Sequence, residues 1–183
     1  MKERIEILVS GFGGQGVVRL GQIIGEAAMR QGFRVTMLKS HGTEQRGGYV
    51  RSQIVISKEE IDSPRVEEPD YFIALSSAAY SAYSSLVKDG VILYDPAYVK
   101  INPDIRVKQL AVPAKDLAIE KLGRELFSNT IMLGAFTNTA DVFDVDNMLK
   151  TLLDVIPRFK EENRTAFEIG LSLFPDPGNG GKK

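Results

Sequence analysis

At 183 residues, 43% hydrophobic and 26% charged, the chain has the size and composition of one soluble core and lies far from disordered or membrane-spanning compositions. Lys and Arg number 23 against 24 Asp and Glu, so the cationic excess that nucleic acids and anionic membranes select is missing, and neither is expected as a partner. The absence of cysteine excludes disulfides and any iron–sulfur cluster held by thiolates of this chain, and a single histidine, His41, speaks against zinc.

The N-terminal "MKERIEILVSG" is a charged lead into a short apolar run, which reads as a buried strand over residues 5–10 rather than a signal peptide. No apolar run reaches the roughly 18 residues of a membrane span, and a cytoplasmic location is expected. Residues 15–30 follow a glycine-rich turn and carry Val17, Leu20, Ile23, Ile24 and Ala27 at helical spacing. "FRVTMLKS" from Phe33 then reads as a second strand, which makes a βαβ unit with the first. "GGYVRSQIVIS", from Gly47 to Ser57, is a third extended run, with Val50, Ser52, Ile54 and Ile56 on one face and Tyr49, Arg51 and Gln53 on the other.

"DYFIALSS" has the continuous apolar pattern of a strand covered on both sides, and "SAAYSAYSSLV" is a helix entered through a serine cap. "GVILYD" gives another central strand, "IRVKQLAVP" a strand after the turn at Asn102-Pro103, and "AKDLAIEKLG" a short helix ended by Gly123. The last third is helical. "NTIMLGAFTNTA" is apolar nearly all round, "DVDNMLKTLLDVI" places Met148, Leu149, Leu152, Leu153 and Ile156 on one face, and "RFKEENRTAFEIGLSLF" has Phe159, Ala166, Phe167, Gly170 and Leu173 as its apolar side. The pattern predicts a three-layer α/β/α, Rossmann-like domain with a mostly parallel sheet over residues 1–174, and a disordered tail over residues 175–183.

Gly11, Gly13 and Gly16 satisfy G-x-G-x-x-G between a strand and a helix, where a helix N-terminus offers N–H groups to an anion. Two features argue against ordinary NAD binding. The second strand ends in Lys39, Ser40 and His41 instead of an acidic residue, which leaves a phosphorylated ribose open, and no Lys-Ser/Thr pair follows the glycines to make a P-loop. The turn reads either as an anion site or as a tight turn that only packs helix on strand. Gly21 and Gly25 inside the helix predict close approach to another element, and Gln15 at the tip of the turn is placed to hydrogen-bond a ligand or a neighbouring chain.

A second loop, "SHGTEQRGGYVRSQIVIS", belongs to the same edge of the sheet. Arg46 and Arg51 suit phosphate or carboxylate, and Gly47-Gly48 permits close backbone approach; the alternative is a solvated loop with an internal Glu44–Arg pair. "SGFGGQGV" followed by this loop closely resembles the gamma subunit of 2-oxoacid:ferredoxin oxidoreductases, and "DYFIALSSAAY", "GVILYD", "NTIMLGAF" and "NRTAFEIGL" resemble that family's later segments in the same order. His41, Thr43 and Gln45 stand where many relatives carry other residues, which leaves the oxoacid open among 2-oxoglutarate, pyruvate and branched-chain acids, with a lean to 2-oxoglutarate or a general oxoacid.

The resemblance implies a non-redox subunit of an enzyme that converts a 2-oxoacid and coenzyme A to acyl-coenzyme A, CO2 and reduced ferredoxin. It implies thiamine diphosphate and magnesium between alpha and beta subunits, iron–sulfur clusters on beta and delta subunits or their equivalents, and a gamma chain that packs on these and shapes the coenzyme A path. Carried over, Gly11, Gly13, Gly14, Gln15 and Gly16, with Glu44, Arg46, Gly47, Gly48 and Arg51, form the edge that faces the assembly. There, turn amides and Arg46 or Arg51 would hold coenzyme A phosphates or acidic groups of a partner. No residue has the setting of a nucleophile or general base for decarboxylation, His41 included. The rivals are the equivalent indolepyruvate ferredoxin oxidoreductase subunit, a free-standing NADP-binding oxidoreductase domain, and a purely structural subunit without ligand contact.

Overall fold

The computed structural model describes residues 2–41 and 49–174, with the His41 side chain excepted, and the chain divides into two compact units, Met1–Pro113 and Ala114–Lys183. The predicted tail over residues 175–183 lies outside the described residues. The first unit contains, in order, β1 (Arg4–Phe12), α1 (Val17–Arg30), β2 (Arg34–His41), β3 (Tyr49–Ser57), β4 (Tyr71–Ala74), α2 (Ser77–Tyr83), a short 3-10 turn at Ser84–Leu86, β5 (Val91–Tyr94) and β6 (Lys108–Ala111). The strands form one six-stranded sheet in the order β2-β3-β1-β4-β5-β6.

β1 is the central strand, buried along nearly its whole length, which is why its sequence is continuously apolar rather than alternating. It runs parallel to β4, with Ile7 opposite Tyr71, and antiparallel to β3, with Phe12 opposite Tyr49. β5 and β6 extend the parallel side, and β2 joins the far edge through an antiparallel pairing with β3. The sheet is therefore mostly parallel, with β3 alone opposed among the described strands. This corrects the expected βαβ unit: β1 and β2 do point the same way and α1 does connect them, but β3 lies between them. β2 and β3 pair with each other along eight register positions, from Arg34↔Ser57 to His41↔Val50, so the hairpin partner takes the place beside β1.

α1 covers one face of the sheet. Its buried side includes Val17, Leu20, Ile23, Ile24 and Ala27, each fully buried Leu or Ile being worth about 1.5–3 kcal/mol. The predicted close approach occurs at Gly21, where an added Cβ would lie 2.7 Å from both Met37 Cε and Ser52 Cβ; at Gly25 the nearest atom, Val35 Cγ1, is at an ordinary 3.5 Å. Ser52 interrupts the apolar parity of β3 because the helix crosses there, and its Oγ donates to the Val17 carbonyl at 3.2 Å. The other face packs against α2 and the turn after it, through Leu8, Val55, Phe72, Tyr80 and Val87. The Ser76 side chain caps α2 as predicted, accepting from the Ala79 N–H at 3.2 Å. Helix, sheet and helix thus make three layers within this unit.

β6 is shorter than its sequence pattern. Residues 105–107 do not pair; the Ile105 N–H instead donates to the Asn102 carbonyl at 3.3 Å, closing the turn at Pro103, while Ile105 and Val107 pack on the core. The second unit is helical: α3 (Ala114–Leu122), a 3-10 turn at Glu125–Phe127, α4 (Ser128–Thr139), α5 (Val145–Val155) and α6 (Lys160–Ser172). α4 is buried nearly all round, as its sequence predicts. α4 and α6 cross backbone to backbone, since a Cβ added at Gly134 would collide with the Phe167 carbonyl and one at Gly170 with the Ile131 carbonyl. Next to this crossing Thr130 Oγ1 donates to Asn163 Oδ1 at 2.8 Å. Phe159 departs from the expected apolar side of α6. It sits at the N-cap in the left-handed region (φ 55°), and its ring meets the edge of Phe127 and the Arg124 guanidinium instead of the helix core.

Candidate functional site

The glycine turn stands at the carboxyl edge of the sheet, where β1 passes into α1. Gly11 is still within β1, opposite Val50, so it is a strand residue and not part of the turn itself. A Cβ on Gly11 would lie 2.6 Å from Gln15 Oε1 and 2.8 Å from Leu75 Cβ. The turn proper runs through Gly13 and Gly14 (φ 89°) to Gly16 (φ 74°), the N-cap of α1, and the left-handed backbone at these two glycines is what lets it reverse so sharply. Among the described residues no side chain caps α1, and no acidic residue stands in its first turn.

The Gln15 side chain turns back into the protein. Its Oε1 accepts from the Phe12 N–H at 2.6 Å and its Nε2 donates to the Leu75 carbonyl at 2.9 Å, so one carboxamide ties the end of β1 to the end of β4. The outer side of the turn opens on a groove of about 650 Å³, lined by Phe12, Gly13, Gly14 and Gly16, by Val17, Val18, Arg19 and Gln22 of α1, and by Val50 of β3. Among the described residues nothing lies within 4 Å of where a Cβ on Gly13 or Gly14 would stand, and Phe12 beside them is 41% exposed.

Arg51 belongs to the same end of the sheet but to the other face. Its Nε donates to Ser40 Oγ at 2.5 Å across the β2–β3 pair, and its guanidinium lies 5.5 Å from the centre of the Tyr83 ring, with Nη1 at 3.4 Å from the phenol oxygen. Tyr49 and Phe72 meet the same ring edge-on at 5.4 and 6.3 Å between centroids. Burial, and then the hydrogen bond with Tyr49, push the Tyr83 phenol above its ordinary value; the adjacent guanidinium pulls it down by less.

Of the predicted site residues, the structure brings Gly13, Gly14 and Gly16 to one groove, places Gly11 and Gln15 directly behind it, and directs Arg51 away from it toward α2. Glu44, Arg46, Gly47 and Gly48 lie outside the described residues. Sequence reasoning did not select Arg19 and Gln22, although their spacing of three on the exposed side of α1 puts them one turn apart above the glycines. Tyr83, the residue on which Arg51 rests, carries no local signal, because the pairing joins β3 to a helix some thirty residues later.

The chain is 38% identical over 178 residues to the 2-oxoglutarate synthase subunit KorC of Methanocaldococcus jannaschii, covering 94% of this chain and 95% of that one. It is 31% identical over 179 residues to the pyruvate synthase subunit PorC of Methanothermobacter marburgensis, covering 95% and 99%. The crystal structure of a keto/oxoacid ferredoxin oxidoreductase gamma subunit from Geobacter sulfurreducens superposes with a TM-score of 0.81 at 32% identity, covering 92% of this chain and 95% of that one. With a match to the family described as pyruvate ferredoxin/flavodoxin oxidoreductase across residues 6–173, the chain belongs to that family.

Proposed function

We propose that this chain is the gamma subunit of a cytoplasmic 2-oxoacid:ferredoxin oxidoreductase. Such an enzyme decarboxylates a 2-oxoacid oxidatively, joins the acyl group to the coenzyme A thiol, and passes the released electron pair to ferredoxin. The observation that carries the reading is similarity along nearly the full length of both chains to a 2-oxoglutarate synthase subunit. Identity of 38% to that subunit against 31% to a pyruvate synthase subunit favours 2-oxoglutarate as the substrate.

The donor set does not fit the redox groups of such an enzyme. The chain has no cysteine, and among the described residues no three His, Asp or Glu side chains cluster as metal ligands. Thiamine diphosphate, magnesium and iron–sulfur clusters would therefore be held by alpha, beta and delta partners, and the work of this chain is positioning. The outer face of the glycine turn, with Arg19 and Gln22 beside it, is the surface that would meet coenzyme A phosphates or an acidic group of a partner subunit. Arg51, on the opposite face of the sheet, would serve a separate contact.

A free-standing NADP-dependent reductase fits less well. In nucleotide-binding sheets the ribose is held from the end of the strand beside the first, and here that neighbour is β3, which begins at this edge instead of ending there. Among the described residues no helix is long and apolar enough to cross a membrane.

The test is a gentle pull-down of the tagged chain from its native cells, with assay of the eluate for oxoacid-dependent, coenzyme A-dependent reduction of an electron acceptor. Co-purifying thiamine- and cluster-binding chains, with 2-oxoglutarate the preferred acid, are expected. A solitary chain that binds NADPH would overturn the reading, and a preference for indolepyruvate would reassign the substrate.

A further inference from the structure

Two arginines are half-buried among the described residues, Arg4 on β1 and Arg51 on β3. Taking a guanidinium even partly out of water costs free energy that an opposite charge normally offsets. Arg4 has that charge: its Nε donates to Glu6 Oε1 at 2.8 Å, and its Nη1 reaches Asp62 Oδ1 at 3.4 Å. Arg51 does not. Its partners among the described residues are the Ser40 hydroxyl, which accepts from Nε, and the phenol and ring of Tyr83, all of them neutral. Its Nη2 donates to none of the described residues. The cation is nevertheless held in place, because Ser40 fixes Nε across the β2–β3 pair, and Tyr83 is itself met edge-on by Tyr49 at 5.4 Å and by the buried Phe72 at 6.3 Å. Tyr49, Arg51 and Tyr83 are each half-buried, so each keeps part of its surface open. Rigid tyrosines around an arginine are the composition that carries most of the binding energy in protein–protein interfaces.

We infer that Tyr49, Arg51 and Tyr83 form a docking surface for a partner subunit on the α2 face of the sheet, and that the partner seats a carboxylate on the Arg51 guanidinium. The cluster carries one positive charge, which matches one carboxylate, and a planar guanidinium with Nη2 free has the shape to pair with it. A phosphate is better served by the backbone N–H groups of a helix start, and those belong to the glycine turn and α1 on the opposite face. The inference rests on reading the chain as one subunit of an assembly, and adds to that reading a second surface and the charge it requires of the partner.

The experiment uses the complex that co-purifies with the tagged chain, with this chain native or carrying Arg51→Gln, Arg51→Lys or Arg51→Glu, and reads its dissociation constant for the other chains between about 0.05 and 0.5 M NaCl. Arg51→Gln is expected to weaken association about tenfold or more and to flatten its salt dependence, and Arg51→Glu to weaken it further. Arg51→Lys keeps the charge without the fork and is expected to fall between native and Arg51→Gln. The isolated full chain carrying Arg51→Gln is expected to melt within about 3 °C of native, because the contacts it loses are neutral ones at a half-buried site. A native chain that brings no other chain with it would overturn the subunit reading and this inference together, whereas a complex that holds Arg51→Gln as tightly as native would overturn this inference alone. So would a weakened complex of unchanged salt dependence, a loss confined to the KM for coenzyme A, or a melting-temperature cycle in the isolated chain that couples Arg51→Gln to Glu44→Gln, since the counter-charge would then be no carboxylate of a partner.

Discussion

Two pairs of glycines in this molecule do opposite things. Gly134 and Gly170 bring α4 and α6 together so closely that a methyl group on either would strike the backbone of the other helix. Gly13 and Gly14 have no atom of the described residues within 4 Å of where a methyl would go. The first pair is explained entirely by what it touches inside the chain. Gly14 is required by its left-handed backbone, but no contact among the described residues requires a glycine at Gly13, and such a glycine marks a place where another segment or chain can come close.

The contrast can be broken at either end. The largest effect is expected for Gly170→Ala or Gly134→Ala: the obstacle is backbone rather than a side chain that can swing away, so the loss should reach about 3 kcal/mol, the upper end of the usual overpacking range, in urea or thermal unfolding. A loss under about 1 kcal/mol would mean that the two helices slide apart at little cost. Gly13→Ala should do the reverse, leaving stability within about 0.5 kcal/mol, as for other unencumbered surface positions, while weakening retention of the partner chains or raising the KM for coenzyme A. If assembly and KM are both unchanged, the groove is not a working surface.

The smallest effect concerns the other face of the sheet. Because the folded chain keeps a proton on Tyr83 above the ordinary value of 10.0, its contribution to stability is complete below about pH 10 and is lost as pH rises through the raised folded value. Tyr83→Phe should therefore flatten the alkaline decline in melting temperature, beside a small loss near neutrality from the hydrogen bonds its phenol makes with Arg51 and Tyr49. An unchanged alkaline slope would show that Tyr83 is no less accessible to ionisation than in the unfolded chain.

The sequence made most of the elements legible because each was announced locally: a serine before α2, an aspartate before α5, unbroken apolar runs for β1 and β4. It did not reveal that β3 would separate β1 from β2, since strand order depends on which edges meet, and the runs of both strands are equally apolar. The turn was recognised by its glycines, but the role of Gln15 was hidden because its second partner, Leu75, is sixty residues away. Phe159 was placed on the face of α6 by period alone, whereas its left-handed backbone puts it before the helix begins. Local patterns carry the elements, and the partners of individual polar side chains come only from the tertiary fold.

The place of β1 in the sheet also bears on how the chain is made. β1 lies inside the sheet, and both of its neighbours, β3 at residues 49–57 and β4 at residues 71–74, follow it in the chain. Until Ala74 has emerged, Ile5, Ile7, Leu8 and Val9 lack one of the two strands that bury them, so the nascent chain carries a strongly apolar segment only partly covered. A chain built in this order depends on rapid completion or on a holding chaperone, and fragments ending before β4 are candidates for aggregation, not for partial folding.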